Sequence, residues 1–338
     1  MYSGKLKYII NSVLGADFPQ DFINASDALL AYFNELIDTG EYLSNDNEVT
    51  VKGGIALSGF HAADCINDCF RTVSFIKGVY NAIKKLQSDF PEKEINIMYA
   101  GTGPFATLVL PLLALFKPSE VSVLFLDINQ SSIDSVKFLI NKIGLQKHDL
   151  KFAVGDATTY KIPVGLSVDL LVSETMHLAL TQEPQVSIAK NLIPQLPLHA
   201  QIIPQAIHID FGYSFFAKEP FASTSDDIRK GYNKLQPYEH RIIIDRLFTI
   251  NKELFSNQSN SASRFTSKFY TLPVAFDNQP DACIFTEITV FDDIKLTTAQ
   301  SLITNPYCLV SLYTIQQYSA IQLVYDFSDI PNWTYSIT

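Results

Sequence analysis

The sequence predicts an α/β fold: a Rossmann-like, mostly parallel sheet with helices on both faces, a helical N-terminal region and a C-terminal antiparallel β domain. From residue 94 to about 200, continuous apolar runs alternate with segments of helical periodicity, as in parallel strands that helices cover on both sides. The residues before 90 keep helical spacing, whereas those after 201 form apolar and β-branched runs that turn residues separate. We therefore expect a helical region (1–90), a sheet domain (91–200) and a β-rich domain (201–338).

Two segments of the N-terminal region carry the helical pattern. DALLAYFNELIDTG (27–40) repeats apolar residues at helical spacing and stops at Gly40. GFHAADCINDCFRTVSFIKGVYNAIKKL (59–86) continues the same spacing over more turns, and Lys84 and Lys85 stand near its end, where cations suit the helix dipole. Both segments are expected to be helices.

Four apolar runs predict the strands of the sheet, and three periodic segments predict the helices between them. The runs are EINIMYA (94–100), VSVLFLD (121–127), LKFAVGD (150–156) and VDLLVSE (168–174). The helical segments are PFATLVLPLLALF (104–116), QSSIDSVKFLINKIGL (130–145) and PQVSIAKNLIPQL (184–196). Beyond residue 201 the pattern predicts a β-sandwich or barrel, with a candidate helical insertion in the more polar stretch 217–260.

Each predicted strand ends in residues that can contact a ligand. Gly101 and Gly103 follow the first strand, and Asp127, Asp156 and Glu174 end the other three in order. Ligands of open parallel sheets bind outside the carboxyl ends of the strands, and glycines there allow a tight turn and the close approach of a ligand. Local roles are the alternative, as an N-cap for Asp127 and a turn former for Asp156. Because all of these residues fall at one edge of one sheet, we favour a shared binding site.

The spacing of these residues favours a cofactor that contains adenosine. Asp127 lies 24 residues after Gly103, close to the roughly 20 residues at which an acid accepts hydrogen bonds from ribose hydroxyls. Asp156, or the backbone beside it, is placed to accept from the adenine amino group, and the helix after the glycine turn would offer N–H groups to an anion. A dinucleotide and S-adenosylmethionine both fit, and we favour S-adenosylmethionine because it needs less phosphate binding. The predicted contacts also include the neighbouring residues Tyr99, Ala100, Ile128 and Ala157.

Two motifs resemble those of the protein arginine methyltransferases, a family of class I S-adenosylmethionine-dependent methyltransferases. Ser173-Glu174-Thr175-Met176, followed by Glu183, resembles the family's Ser-Glu-x-Met loop with a second Glu nine residues after the first. DCFRT (68–72) resembles the helix that carries the family's Arg-Thr pair. The resemblance implies S-adenosylmethionine as cofactor and Arg71 as the partner of its carboxylate.

These inferences lead to a methyltransferase that acts on a nitrogen or oxygen nucleophile of a small molecule or a protein side chain. Methyl transfer from a sulfonium is a displacement that depends on alignment and on the placement of charge. Glu174 and Glu183 have the spacing to hold a guanidinium if the loop between them folds back. If the substrate is an amine or a phenol, one of these acids or His177 would act as general base. Three alternatives remain: a protein arginine N-methyltransferase, an NAD-dependent oxidoreductase, and a non-catalytic nucleotide-binding module whose pocket the side chains of Ile97 and Tyr99 fill.

Composition and charge argue against several other classes. The net charge of −10 disfavours a general nucleic-acid binder, which needs a basic face. The four cysteines lack the spacing of a zinc site, so we expect no metal, and buried thiols in a reducing compartment. The most apolar run, 105–116, has 12 residues, too few to cross a bilayer, and the chain opens without the pattern of a signal peptide. We therefore predict a cytoplasmic protein with a small-molecule or peptide substrate and no membrane partner.

The resemblance further implies a homodimer, since the related enzymes pair through an arm inserted in the β domain. The polar stretch 217–260 is the candidate for this arm, and a surface insertion is the alternative.

Overall fold

The N-terminal region is helical except for one short hairpin. The computed structural model describes residues 2–37, 47–219, 226, 240–256, 262–272, 280–312 and 320–338. The first elements are α1 (Tyr2–Leu14), α2 (Pro19–Leu36), β1 (Val49–Val51), β2 (Gly54–Ala56), α3 (Gly59–Asp64) and α4 (Cys69–Asp89). The apolar faces of α1, α2 and α4 pack together and bury Leu6, Leu29 and Phe75 completely, each burial contributing about 1.5–3 kcal/mol. α2 ends at Leu36, and the predicted stop at Gly40 lies outside the described residues.

A five-stranded parallel sheet forms the centre of the chain. Its strands are β3 (Ile95–Ala100), β4 (Val121–Asp127), β5 (Asp149–Val154), β6 (Leu170–Ser173) and β7 (Gln201–Ile203), in the order β5-β4-β3-β6-β7. Every residue of β4 is buried, as expected of a central parallel strand that is covered on both faces. The predicted α/β class is confirmed. Because the strand order reverses at β3, a ligand crevice is expected at the carboxyl ends of β3 and its neighbours.

Helices flank the sheet, but one predicted helix does not form. α4 packs against β3, β6 and β7, α5 (Gln130–Ile143) against β4 and β5, and α6 (Gln185–Leu192) against β6. The segment 104–116, predicted as a helix, forms turns and a single 3₁₀ helix, Leu110–Ala114. Pro111 has no N–H for a helical bond and Ala106 has a left-handed φ of +44°, and both features interrupt an α-helix. The prediction that a helix after the glycine turn offers its N–H groups to an anion is therefore wrong.

The C-terminal part is antiparallel, as predicted. One sheet has the order β12-β11-β8-β9, with β13 paired to β11, and a second sheet has the order β10-β14-β15. The strands are β8 (Ala206–Ser214), β9 (Ile242–Asn251), β10 (Arg264–Thr271), β11 (Asp281–Phe291), β12 (Ile294–Leu296), β13 (Tyr307–Ser311), β14 (Ala320–Asp326) and β15 (Asn332–Ile337).

The stretch 217–260 differs from the predicted helical insertion where the structure describes it. Residues 242–251 form β9, because their β-branched and aromatic side chains suit a strand paired with β8. Only the short α7 (Lys252–Ser256) is helical after it. Residues 220–225, 227–239 and 257–260, which make up about half of the candidate dimer arm, lie outside the described residues. No helix in the described ranges has the length and apolarity needed to cross a membrane.

Candidate active site

A cavity lies outside the carboxyl ends of the sheet strands, where the sequence predicts the ligand. It contains about 940 Å³ of empty space, part of which opens to solvent. Ala100 is not among its lining residues, because this last residue of β3 is wholly buried in the sheet. The cavity is open although Tyr99 contacts it, and Ile97 does not reach it, so these side chains do not fill it. The predicted residues that line it are Arg71, Tyr99, Gly101, Gly103, Asp127, Ile128, Asp156, Ala157, Glu174 and Glu183.

The turn after β3 presents backbone to the cavity. Gly101 has a φ of +75° and Gly103 a φ of +58°, both in the left-handed region that glycine enters at little cost. A Cβ on Gly101 would lie 2.4 Å from Cγ2 of Thr175. The turn and the end of β6 therefore meet with no room for a side chain.

The two aspartates at the strand ends line the cavity and also brace their own turns. Asp127 is 6% exposed; its Oδ2 accepts the Gly103 N–H at 2.9 Å and its Oδ1 accepts the Asn129 N–H at 2.9 Å. Asp156 accepts the Thr158 N–H through Oδ1 at 2.8 Å. Asp156 therefore combines the turn role that the sequence allowed with a place at the cavity, whereas Asp127 does not cap α5, whose N-cap is Asn129. This bracing fixes the carboxylates in place, which preorganises them for a ligand.

Arg71 and Glu174 form a buried ion pair at the cavity wall. Arg71 donates from Nε to Oε2 of Glu174 at 2.6 Å, and its Nη2 donates to the same oxygen. Burial raises the pKa of the Glu174 carboxyl, and Arg71 counteracts the rise. Oε1 of Glu174 makes no hydrogen bond of normal geometry with any described residue, although the Met176 N–H faces this carboxyl.

The segment 174–185, which we call the acid loop, folds back and brings both predicted acids to the same cavity. Gln185 closes the loop, since its Oε1 accepts the Thr175 N–H at 2.9 Å. Burial raises the pKa of Glu183 to about 8; Arg71 lowers it, and Glu174 raises it further. No described residue forms a hydrogen bond or an ion pair with the Glu183 carboxyl, so this carboxyl faces the cavity available for a ligand.

The β1–β2 hairpin packs on the acid loop. The Ile55 N–H donates to the Gln182 carbonyl at 2.8 Å. Gly54 approaches so closely that a Cβ would lie 2.5 Å from the backbone nitrogen of Pro184. The sequence analysis does not identify this hairpin, although VTVKGGIA (49–56) has β-branched residues on both sides of a glycine-containing turn, which is a hairpin signal.

A second cavity adjoins the first, and Glu183 lies at their junction. The second cavity contains about 1420 Å³ of empty space, open solvent included, and its walls come from the N-terminal region, the acid loop and the C-terminal domain. Residues that line both cavities are Leu57, Cys65, Arg71 and Glu183. The C-terminal domain contributes Phe216, Leu302, Ile303, Tyr307 and Cys308 to the second. A molecule in either cavity would therefore contact Glu183.

His177 lines the second cavity and not the first. Its Nδ1 lies 2.9 Å from Oγ1 of Thr181, whose hydroxyl donates its only proton to the Leu178 carbonyl at 2.8 Å. The hydroxyl oxygen therefore accepts from Nδ1–H, which leaves Nε2 unprotonated in the neutral ring. Burial lowers the pKa of His177, and Arg71 lowers it further. The ring is thus neutral at pH 7 and able to accept a proton.

With this geometry the chain is similar in structure to two known proteins, while its sequence matches no family model and no curated protein. One is the Trypanosoma brucei PRMT1 enzyme–prozyme heterotetrameric complex with AdoHcy, at 12% identity and a TM-score of 0.49, covering 82% of this chain and 98% of that chain. The other is Arabidopsis thaliana protein arginine methyltransferase 10, at 11% identity and a TM-score of 0.52, covering 82% of this chain and 97% of that chain. The chain shares the fold of this second protein.

Asp68 is a buried site residue that the sequence analysis does not identify. It is 1% exposed and caps α4 by accepting the Arg71 N–H through Oδ1 at 3.2 Å. Its Oδ2 accepts the Ser301 hydroxyl at 2.7 Å and the Leu302 N–H at 2.9 Å. Asp68 therefore joins the helix that carries Arg71 to the wall of the second cavity. An Asp directly before a helical run is the N-cap signal that could have identified it.

Two aromatic residues of the C-terminal domain hold the acid loop. Ala179 and Leu180 have left-handed φ values of +53° and +58°, which cost about 1–2 kcal/mol each in residues other than glycine. Trp333 Nε1–H donates to the Ala179 carbonyl at 2.9 Å, and the Tyr325 hydroxyl donates to the Leu180 carbonyl at 2.8 Å. These partners stand 154 and 145 residues apart in the chain, so no local pattern indicates them.

Proposed function

We propose that this chain is an S-adenosylmethionine-dependent methyltransferase. The observation that carries the proposal is the junction of the two cavities, with acids and a glycine turn suited to an adenosyl group on one side and an open acceptor cavity on the other. A methyl donor and its acceptor would meet beside Glu183. The fold shared with Arabidopsis thaliana protein arginine methyltransferase 10 supports this class.

The residues of the first cavity fit S-adenosylmethionine by their chemistry. Asp127 would accept hydrogen bonds from the ribose hydroxyls, and Asp156 with its adjoining backbone would accept from the adenine amino group. An arginine has five N–H donors. Oε2 of Glu174 accepts one from Nε and one from Nη2 of Arg71, and the remaining donors would bind the cofactor carboxylate. The bound cofactor supplies a methyl group on a sulfonium, which a nucleophile takes by direct displacement.

The acceptor we favour carries a positively charged nitrogen group, first of all the guanidinium of a protein arginine. A cation beside Glu183 would stabilise its carboxylate and so offset the burial that raises the pKa to about 8. Glu174 already binds one guanidinium, that of Arg71, and its Oε1 makes no normal hydrogen bond within the described residues. Two carboxylates in this position would hold the acceptor with one nitrogen towards the methyl group, and such alignment is the main contribution an enzyme makes to a displacement.

His177 favours a second candidate acceptor, a neutral amine or phenol of a small molecule. Its neutral ring lines the second cavity, and the Thr181 hydroxyl fixes the tautomer with Nε2 unprotonated. An acceptor of this kind would lose its proton to His177 as general base, whereas a guanidinium held by the acids would lose it to Glu183.

Calorimetry with S-adenosylhomocysteine tests the cofactor. We expect the wild type to bind it. Asp127→Ala should lose about tenfold or more in affinity, because a charge-assisted hydrogen bond contributes about 1.5–3 kcal/mol. Asp134→Ala, which alters an exposed aspartate of α5, should bind as the wild type does. NADH serves as the comparison ligand. Stabilisation by NADH in a thermal-shift experiment, with no response to S-adenosylhomocysteine, would favour the oxidoreductase and contradict the proposal.

Transfer of a labelled methyl group tests the acceptor. The substrates are an arginine-containing peptide, the same peptide with lysine in place of arginine, and a panel of small amines and phenols. We expect label on the arginine peptide and its loss in Glu183→Gln, which keeps the shape of the side chain and removes its charge. Label on the small molecules alone, with dependence on His177, would select the second candidate.

A further inference from the structure

Cys283 and Cys308 lie directly opposite each other on neighbouring antiparallel strands. Cys283 belongs to β11 and Cys308 to β13, and the two are partners in the strand register. Opposite residues of antiparallel strands have Cα atoms about 4.5–5.5 Å apart, within the roughly 4.4–6.8 Å that a disulfide spans. Each thiol also shifts the pKa of the other, as neighbouring groups do, while the Cys283 sulfur lies 3.6 Å from the Asp281 carbonyl oxygen.

The two thiols differ in their access to solvent. Cys283 is completely buried, whereas Cys308 is half-buried and lines the second cavity. The neighbouring Cys283 thiol lowers the pKa of Cys308, whereas the neighbouring Cys308 thiol, together with burial, raises that of Cys283. The thiolate is the form that reacts with disulfides. Cys308 is therefore the thiol placed to meet a reagent, and Cys283 is the thiol held behind it.

We propose that Cys283 and Cys308 are a redox modification site that forms a reversible disulfide with a small disulfide oxidant such as oxidised glutathione. The Cys308 thiolate attacks one sulfur of the oxidant, whose S–S bond breaks and releases one glutathione thiolate, which takes up a proton. Cys283 then loses its proton and attacks the Cys308 sulfur, which breaks the mixed disulfide and releases the second glutathione. Two protein thiols are oxidised, and one glutathione disulfide is reduced to two thiols.

The remaining cysteines provide an internal control. Cys65 and Cys69 are four residues apart across the start of α4, and burial raises the pKa of Cys65 to about 11, which disfavours its thiolate. The Cys65 thiol contacts the His61 carbonyl instead of another thiol. The test reads the thiols directly, so it does not depend on any enzymatic assay.

Thiol alkylation and peptide mass spectrometry of the full chain test the site. After incubation of the native protein with oxidised glutathione, we expect the loss of two of the four free thiols, a cross-linked peptide pair containing Cys283 and Cys308, and full recovery of the thiols with a reductant. Cys65→Ser should form the same disulfide. Cys283→Ser should accumulate glutathione on Cys308, while Cys308→Ser should leave Cys283 unmodified, because only the half-buried thiol meets the oxidant.

Three results would overturn the proposal. One is complete alkylation of Cys283 and Cys308 after native incubation, under conditions that oxidise a control dithiol. Another is glutathione that stays on Cys308 in the wild type, which would mean that Cys283 does not reach it. The third is a cross-link that involves Cys65 or Cys69. A circular dichroism spectrum of each variant establishes that the comparison is made on folded protein.

Discussion

Replacing Glu183 by Gln should stabilise the protein, and by more as the pH rises. Burial raises the pKa of this carboxyl from 4.5 to about 8 in the folded state, whereas the unfolded chain keeps the ordinary value. Between these two pH values the folded state holds one proton more than the unfolded state. The free energy of unfolding contributed by Glu183 therefore falls as the pH rises through this interval. Below about 4.5 the carboxyl is protonated in both states, and its penalty disappears.

The size of the effect follows from the same pair of values. The difference between 4.5 and about 8 sets an upper limit of about 5 kcal/mol at alkaline pH. Both cavities beside Glu183 open to solvent, which relieves part of the desolvation, so we expect a stabilisation of about 1–2 kcal/mol for Glu183→Gln at pH 9. At pH 6 the same values set an upper limit of about 2 kcal/mol, so the difference between the two proteins should be less than half of that at pH 9.

Urea unfolding of both proteins at pH 6 and pH 9 measures this difference. Glu253→Gln is the matched control, since Glu253 is an exposed glutamate of α7, and its effect should be nearly the same at both pH values. If Glu183→Gln were no more stable than the wild type at pH 9, or if the gap did not widen with pH, the carboxyl would not be desolvated. A cationic acceptor would then no longer be needed to stabilise the Glu183 carboxylate.

Three further substitutions, with Tyr32→Phe as a control for one of them, test other parts of the site. Gly101→Ala should abolish S-adenosylhomocysteine binding in calorimetry, because its Cβ would clash with Thr175 at 2.4 Å; wild-type affinity would show that the turn is not part of the binding site. Tyr325→Phe should cost about 1–2 kcal/mol in urea unfolding through the buried carbonyl it leaves unpaired and should also lower methyl transfer. The Tyr32 hydroxyl donates to a carbonyl on α1, so Tyr32→Phe should reduce stability without lowering methyl transfer. If Tyr32→Phe and Tyr325→Phe lowered methyl transfer equally, the role of Tyr325 in the acid loop would be contradicted. His177→Gln should remove the acid limb of the pH–rate profile for a neutral acceptor. This limb should lie below the ordinary histidine pKa, because burial lowers the pKa of His177. An unchanged profile would exclude His177 as the base.

The strand ends could be predicted because their signals are local. In β3 and β4 the apolar run that identifies a buried parallel strand leads directly to the polar or glycine residue that lines the first cavity, so one pattern predicts both the strand and the position of Gly101 or Asp127. The parallel arrangement then brings distant strand ends to one edge of the sheet. The limit of this reasoning is Ala100, which is next to the cavity in sequence but points into the sheet.

The features that could not be predicted depend on contacts between distant residues or on backbone conformation. The segment 104–116 has helical apolar spacing, but the left-handed backbone of Ala106 and the missing N–H of Pro111 decide against an α-helix. The second cavity exists only because the acid loop and the C-terminal domain face each other. Asp68 has a helix-cap signal in the sequence, yet its bonds to Ser301 and Leu302 depend on how the chain folds back.

The way in which the acid loop is held has a consequence for dissecting this protein. Trp333 and Tyr325, close to the last residue, fix the conformation of a loop that belongs by sequence to the central sheet. A fragment cut at residue 200 would contain Glu174 and Glu183, but Ala179 and Leu180, two of the three left-handed residues between them, would lose the partners that offset their strain. The part of the chain that holds the acid loop in place therefore extends beyond the sheet domain that the sequence delimits. Any experiment on Glu174 and Glu183 has to keep the polypeptide intact as far as β15.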